Sequence, residues 1–121
     1  MSGMVKELRR IAMSQEYRWV KVTTVGALAP GEMLGTNVGD RPVAVYNVEG
    51  TLHATSDLCP HAYALLSTGF LEGYVVECPL HARCFDIRSG TGVGEPLYDN
   101  IEVFPVRIQG RSVEVCLPEE K

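Results

Sequence analysis

Two short stretches of this chain place a thiol and an imidazole almost side by side. Cys59-Pro60-His61 has the pattern C-x-H and Cys78-Pro79-Leu80-His81 the pattern C-x-x-H, with sixteen residues, Ala62 to Glu77, between them. Thiolate and imidazole are metal ligands, so the chemistry on offer is binding by two sulfur and two nitrogen donors. Donors with only one or two residues between them, in two separate pairs, do not converge on one centre from regular helix or strand backbone alone. Each pair therefore needs a looped backbone, and Pro60 and Pro79 suit a loop because proline fixes φ and removes a backbone donor.

Two kinds of metal centre use such donors. Zinc accepts Cys₂His₂ tetrahedrally, but its finger motifs pair Cys with Cys and His with His. Here each loop holds a mixed pair. A two-iron cluster in which two histidines replace two cysteines on one iron explains the mixture, because each loop then supplies one ligand to each iron. With two thiolates the charges of the oxidised cluster cancel, whereas four would leave about −2, so the mixed set eases the addition of an electron.

The elements that must position these loops read as strands. Tyr17-Arg-Trp-Val-Lys-Val, Glu32 to Val38, Pro42-Val-Ala-Val-Tyr-Asn and Leu52-His-Ala-Thr are separated by Leu28-Ala-Pro-Gly, Val38-Gly-Asp-Arg and Val48-Glu-Gly-Thr, all turn formers. Ile101-Glu-Val-Phe-Pro-Val-Arg-Ile and Ser112-Val-Glu-Val-Cys-Leu flank Gln109-Gly-Arg as a hairpin, with Pro105 at an edge or bulge. Short strands with closely spaced turns predict an all-β sandwich or barrel. From about Asp57 to Asp99 the rhythm breaks, and the many Gly and Pro residues predict a loop-rich insertion. Residues 1–15 read as an N-terminal extension, a short helix at most or frayed. Residues 16–118 read as one domain.

Composition narrows the function classes. The 121 residues are 45% hydrophobic and 21% charged, with a formal net charge of −4 and a pI near 5.3. No basic excess is present to neutralise phosphates, which argues against nucleic acid as a partner. No apolar run is long enough to span a bilayer and no secretory h-region is present, so the expectation is a cytoplasmic protein without a membrane partner.

The quartet and its surroundings resemble the Rieske [2Fe–2S] ferredoxins of bacterial aromatic-ring-hydroxylating dioxygenase systems. The likeness includes Cys-Pro-His, Cys-Pro-Leu-His, Gly69-Phe-Leu-Glu-Gly, Phe85-Asp-Ile-Arg-Ser-Gly and Val103-Phe-Pro-Val-Arg-Ile, and it runs from about Tyr17 to Leu117. It implies a sandwich of three antiparallel sheets with a cluster-binding subdomain, here about residues 57–99. It implies one [2Fe–2S] cluster bound by Cys59, His61, Cys78 and His81, with the histidines partly exposed at the tip as the route for the electron. It further implies a monomeric carrier that catalyses nothing itself, with a ferredoxin reductase and a terminal oxygenase as partners. Only three histidines exist, too few for an additional mononuclear iron site. The small Rieske-like subunit of an NADH-dependent nitrite reductase is an alternative from the same fold, and a structural zinc module is one from a different class.

Respiratory Rieske proteins resemble the pattern too, but they add a disulfide between the cluster loops and hydroxyl donors after the second histidine. In this chain Leu66 or a neighbour and Leu80 stand where those cysteines would be, and Arg83 and Phe85 stand two and four residues past His81. The expectation is therefore a potential nearer about −150 mV than +300 mV. Relatives commonly have Gly after each histidine. Ala62 and Ala82 occupy those places, at little expected cost if φ stays negative, and Arg83 reads as a solvated side chain or as one that alters docking charge or potential beside the cluster. Cys84 is expected to point into the core, Cys116 to lie in core or edge, and His53 to be structural. Tyr63, Leu65 and Leu66 read either as an apolar docking rim or as a shield, and Gly90 to Pro96 as a third loop over the cluster.

Overall fold

The computed structural model describes residues 16–60, 64–80, 82–94 and 100–119. The predicted N-terminal extension, His61, Ala62, Tyr63, His81 and residues 95–99 lie outside them. Among the described residues eleven strands form three antiparallel sheets. In the first, β1 (Tyr17–Thr24) pairs with β11 (Ser112–Pro118), and β11 with β10 (Val106–Gln109). The second runs β2 (Met33–Val38), β3 (Arg41–Val48), β4 (Thr51–Ser56) and β9 (Val103–Phe104). The third is a meander of β5 (Phe70–Glu72), β6 (Val75–Glu77), β7 (Cys84–Asp86) and β8 (Gly92–Val93).

Strand β3 explains how the layers stack. Its apolar run is buried on both faces, which requires cover on each side. Val43 and Val45 face the first sheet and pack with Ala54, Phe104, Val115 and Leu117. Ala44 and Tyr46 face the opposite way, toward Leu66, Val76, Phe85 and Ile87 of the cluster-loop region. Two cores thus share one strand as a partition. The β3–β4 turn places Glu49 at φ 54 and Gly50 at φ 93, the paired left-handed residues that a two-residue hairpin demands.

Pro105 lies at a corner between sheets. The chain leaves β9, paired to β4, and enters β10, paired to β11, while the Pro105 carbonyl accepts a bond from Cys116 N–H at 2.9 Å. The middle of the chain is more regular than its composition suggests. Four strands of two or three residues cross it, too short for a period of two to emerge from the sequence.

Candidate metal centre

Each cysteine motif closes its own small hairpin. In the first, Leu66 N–H bonds Asp57 O (2.7 Å), Leu58 bridges Leu65, and Cys59 N–H bonds Ala64 O (3.0 Å). In the second, Cys78 N–H bonds Arg83 O (2.8 Å) and Ala82 N–H bonds Cys78 O (3.1 Å), with Glu77 opposite Cys84 in the strands below. Both cysteines therefore occupy the top rung of a ladder, where a strand gives way to a loop.

The two ladders are fastened side by side at Gly69. A Cβ there would collide with the carbonyl of Glu77 and reach 3.0 Å from Pro79 Cδ, so only glycine allows the first loop's exit to pass this close to the entry of the second. Cys59 and Cys78 are 2% and 0% exposed and belong to one apolar cluster with Tyr46, Leu66 and Phe85. Beyond them the surface turns apolar: Leu58 and Leu65 are exposed, and Leu80 is 65% exposed.

The structure thus brings the two predicted sulfur ligands together in one buried cluster, while His61 and His81 lie outside the described residues. Among the described residues no three metal-ligating side chains converge. None of the cysteines in this region forms a disulfide, so both thiols retain the chemistry a metal requires. Two buried sulfur donors at the roots of adjacent loops, each loop also carrying a histidine in sequence, fit a two-iron cluster with mixed ligation.

Several expectations need correction. Ala82 adopts φ 55, not a negative angle. The bond from Ala82 N–H back to Cys78 O closes a one-turn loop whose last residue is left-handed, a position glycine fills without strain. Cys84 does not enter the core. Adjacent strand residues face opposite ways, and Phe85 takes the inward place, fully buried. Cys84 is left half-buried on the outer face, its Sγ donating to Ala82 O at 3.7 Å. Burial and the nearby Glu77 carboxylate push its thiol up in pKa, which makes it a poor nucleophile. Cys116 is neither core nor edge, since it lies half-buried on β11, the middle strand of its sheet, opposite Trp19. Of the proposed third loop, Gly92–Val93 forms β8, and Glu95 and Pro96 are outside the described residues. Leu66 is fully buried whereas Leu65 is exposed, so these two leucines do not act as one rim.

His53 is structural. Its ring meets Tyr74 edge-on at 5.6 Å, and the Arg88 guanidinium stacks on Tyr74 at 4.1 Å while bonding Asp86 at 2.8 Å. This stack joins β4 to the third sheet. Burial foremost, then the Arg88 charge, lowers the His53 pKa against the opposing pull of Asp86, and His53 Nε2 is buried without a partner among the described residues. Sequence reasoning missed this joint. It also missed the buried carboxylate of Asp57, which accepts both the N–H and the O–H of Ser67; a lone acid leading into an apolar loop was the signal available.

Residues 18–105 match the Rieske [2Fe–2S] domain. The chain belongs to that family. It is 39% identical over 100 residues to the ferredoxin component of a naphthalene 1,2-dioxygenase system from Pseudomonas aeruginosa, covering 83% of this chain and 96% of the relative. It is 43% identical over 97 residues to the ferredoxin component of a biphenyl 2,3-dioxygenase from Rhodococcus jostii, covering 80% and 91%. Among solved structures it is similar to the protein in a complex of reduced oxygenase and oxidised ferredoxin of carbazole 1,9a-dioxygenase, with TM-score 0.75, 38% identity and coverage of 80% and 91%. A nitrite reductase small subunit from Mycobacterium tuberculosis shares the fold, with TM-score 0.74, but only 22% identity over 84% of this chain and 96% of that one. As a Rieske protein whose relatives are ferredoxin components, this chain binds one [2Fe–2S] cluster of Rieske type and is an electron-transfer component rather than an enzyme.

Proposed function

We propose that this Rieske ferredoxin receives single electrons from a reductase and delivers them to the terminal oxygenase of an aromatic-ring dioxygenase system. Cys59 and Cys78 would hold one iron and His61 and His81 the other. The bound cluster supplies a reversible one-electron couple. The chain's own residues supply the rest. The two ladders hold the sulfur donors at a fixed spacing, Tyr46, Leu66 and Phe85 exclude water from behind them, and the exposed Leu58, Leu65 and Leu80 offer an apolar surface for a transient partner. The observation that supports this most is the burial of both cysteines in one cluster at the heads of adjoining loops.

The domain reading is of one Rieske unit over 16–118 with its cluster-binding part at about 57–99 and an appended segment at 1–15. The separate third sheet and the family match over residues 18–105 support it. The protein is taken to act as a monomer in the cytoplasm without a membrane partner. No helix among the described residues is long and apolar enough to cross a membrane. The cluster potential is taken to be low. The described cysteines form no disulfide, and Phe85 is buried where a hydroxyl donor would otherwise stand.

A reconstitution tests this function. With a reductase, NADH and a dioxygenase oxygenase, product should form only when this chain is added and in proportion to it. A chain that accepts electrons from the reductase yet reduces none of a panel of naphthalene, biphenyl and carbazole oxygenases would contradict the reading. Cys59→Ser and His81→Ala should each abolish cluster incorporation, measured by iron content.

A further inference from the structure

The foot of the first loop holds a polar cluster that strand pairing does not require. Asp57 is 1% exposed, and its two carboxylate oxygens are both taken by one residue: Oδ1 accepts Ser67 N–H and Oδ2 accepts Ser67 O–H, each at 2.7 Å. The main chain of the same residue is also engaged, with Asp57 O accepting from Leu66 N–H (2.7 Å) and Asp57 N–H donating to Pro42 O (3.0 Å). Asp57 therefore links β3 to both ends of the loop that contains Cys59 and His61.

A third element closes over this pair. A Cβ on Gly35 of β2 would lie 2.6 Å from Asp57 Oδ2 and closer still to Ser67 Oγ. The φ of Gly35 is not in the left-handed range, so the requirement for glycine here is one of space. A buried carboxylate stripped of its donors is costly. Opening the loop at Ser67 would leave both oxygens of Asp57 unpaired beneath β2.

We propose that Asp57 is a positioning residue for the cluster, its two bonds to Ser67, closed over by Gly35, fixing the register in which the first loop presents Cys59. The proposal rests on the reading of Cys59 as a ligand. The carboxylate touches neither iron nor partner in this account. It acts through the loop, and Gly35, twenty-four residues before Cys59 in the sequence, acts through the carboxylate.

The test uses the cluster-loaded protein and three readouts: the half-life of the visible spectrum under chelator, the midpoint potential, and the EPR line shape after reduction. Asp57→Ala, Ser67→Ala and Gly35→Ala should each shorten the half-life several-fold and broaden or shift the EPR signal. Asp57→Asn keeps an acceptor for Ser67 N–H and can donate to its Oγ, so it should recover a half-life within about twofold of the parent. Val115→Ala in the distant core serves as a control of lowered melting temperature and should leave the line shape and potential unchanged. The proposal is overturned if Asp57→Ala and Ser67→Ala lose the cluster no faster than Val115→Ala and keep the parent line shape and potential. Should Asp57→Ala not accumulate, Ser67→Ala and Gly35→Ala decide the matter by the same criteria. Cys59→Ser, run alongside, is expected to be clusterless; if it retains the cluster, the ligand reading fails first, and the clamp with it.

Discussion

The two-sheet base and the cluster-loop region are built by different means. In the base, β1 and β3 are eight residues long and β11 seven, paired through long ladders, with one register shift between Lys21 and Thr23 of β1, over a core of Val43, Val45, Phe104, Val115 and Leu117. In the cluster-loop region no strand among the described residues exceeds three residues. There the position of the chain is set by individual contacts instead: Asp57 with Ser67, Gly69 against Glu77, Gly90 donating to Asp86 and accepting from Ile101, and His53 against Tyr74. Long ladders spread stability over many bonds, so losing one costs little. A metal loop must hold a few donors in one place, and it does so with a few contacts that are hard to replace.

Core truncations should separate the regions most strongly. Phe85→Ala is expected to cost about 3–5 kcal/mol and Leu117→Ala about 2–5 kcal/mol. Their melting curves should differ in order. In Phe85→Ala the visible cluster absorbance should bleach below the temperature of the far-UV transition, whereas in Leu117→Ala the two should coincide. Coincident transitions in both would mean that the regions unfold as one unit.

The next effect is one of pH and concerns the joint between the regions. His53 has a depressed pKa in the folded chain, so its contribution is fully present above the unfolded value of about 6.5. As pH falls through that value the unfolded chain takes up a proton before the folded one does, and stability declines. His53→Phe should therefore show a shallower fall in melting temperature than the parent between pH 8 and 5, while its other titrating groups remain the same. An identical slope would show that the buried imidazole is not what loosens the joint in acid.

Within the second loop, Ala82→Gly removes a left-handed strain of about 1–2 kcal/mol and adds back some chain entropy. A net gain of about 0.5–1 kcal/mol is expected, read as a higher denaturant midpoint and a longer cluster half-life. A loss would place the loop in a conformation other than the one described. The smallest change lies in the base. Arg107 bonds Glu114 at 2.7 Å and lies over Trp19 at 4.3 Å, both near the surface. Arg107→Ala should cost no more than about 1 kcal/mol by denaturant titration and leave the cluster spectrum untouched.

The same contrast governs what the sequence discloses. The base hairpins are legible because their strands, four to eight residues long, are rich in β-branched and aromatic residues and their turns carry Gly39, Gly50 and Gly110. The cysteine–histidine quartet is legible because ligand type and spacing are chemistry written directly in residue identity. The short strands β5 to β8 give no period to read. Whether Cys84 or Phe85 faces inward depends on a register fixed only by pairing with Glu77 and Val76. The φ of Ala82 depends on the bond that closes its loop, and the Asp57–Ser67 pair meets Gly35 of β2, a strand more than twenty residues earlier in the chain, a relation no local pattern contains.

The central claim is that Cys59, His61, Cys78 and His81 hold a low-potential Rieske cluster, and an EPR-monitored redox titration of the purified protein tests it most directly. The account predicts a single one-electron transition, giving the low-average-g signal of a Rieske centre on reduction, with a midpoint nearer about −150 mV than +300 mV. A colourless, EPR-silent protein with stoichiometric zinc, or a Rieske signal with a midpoint well above zero, would contradict it.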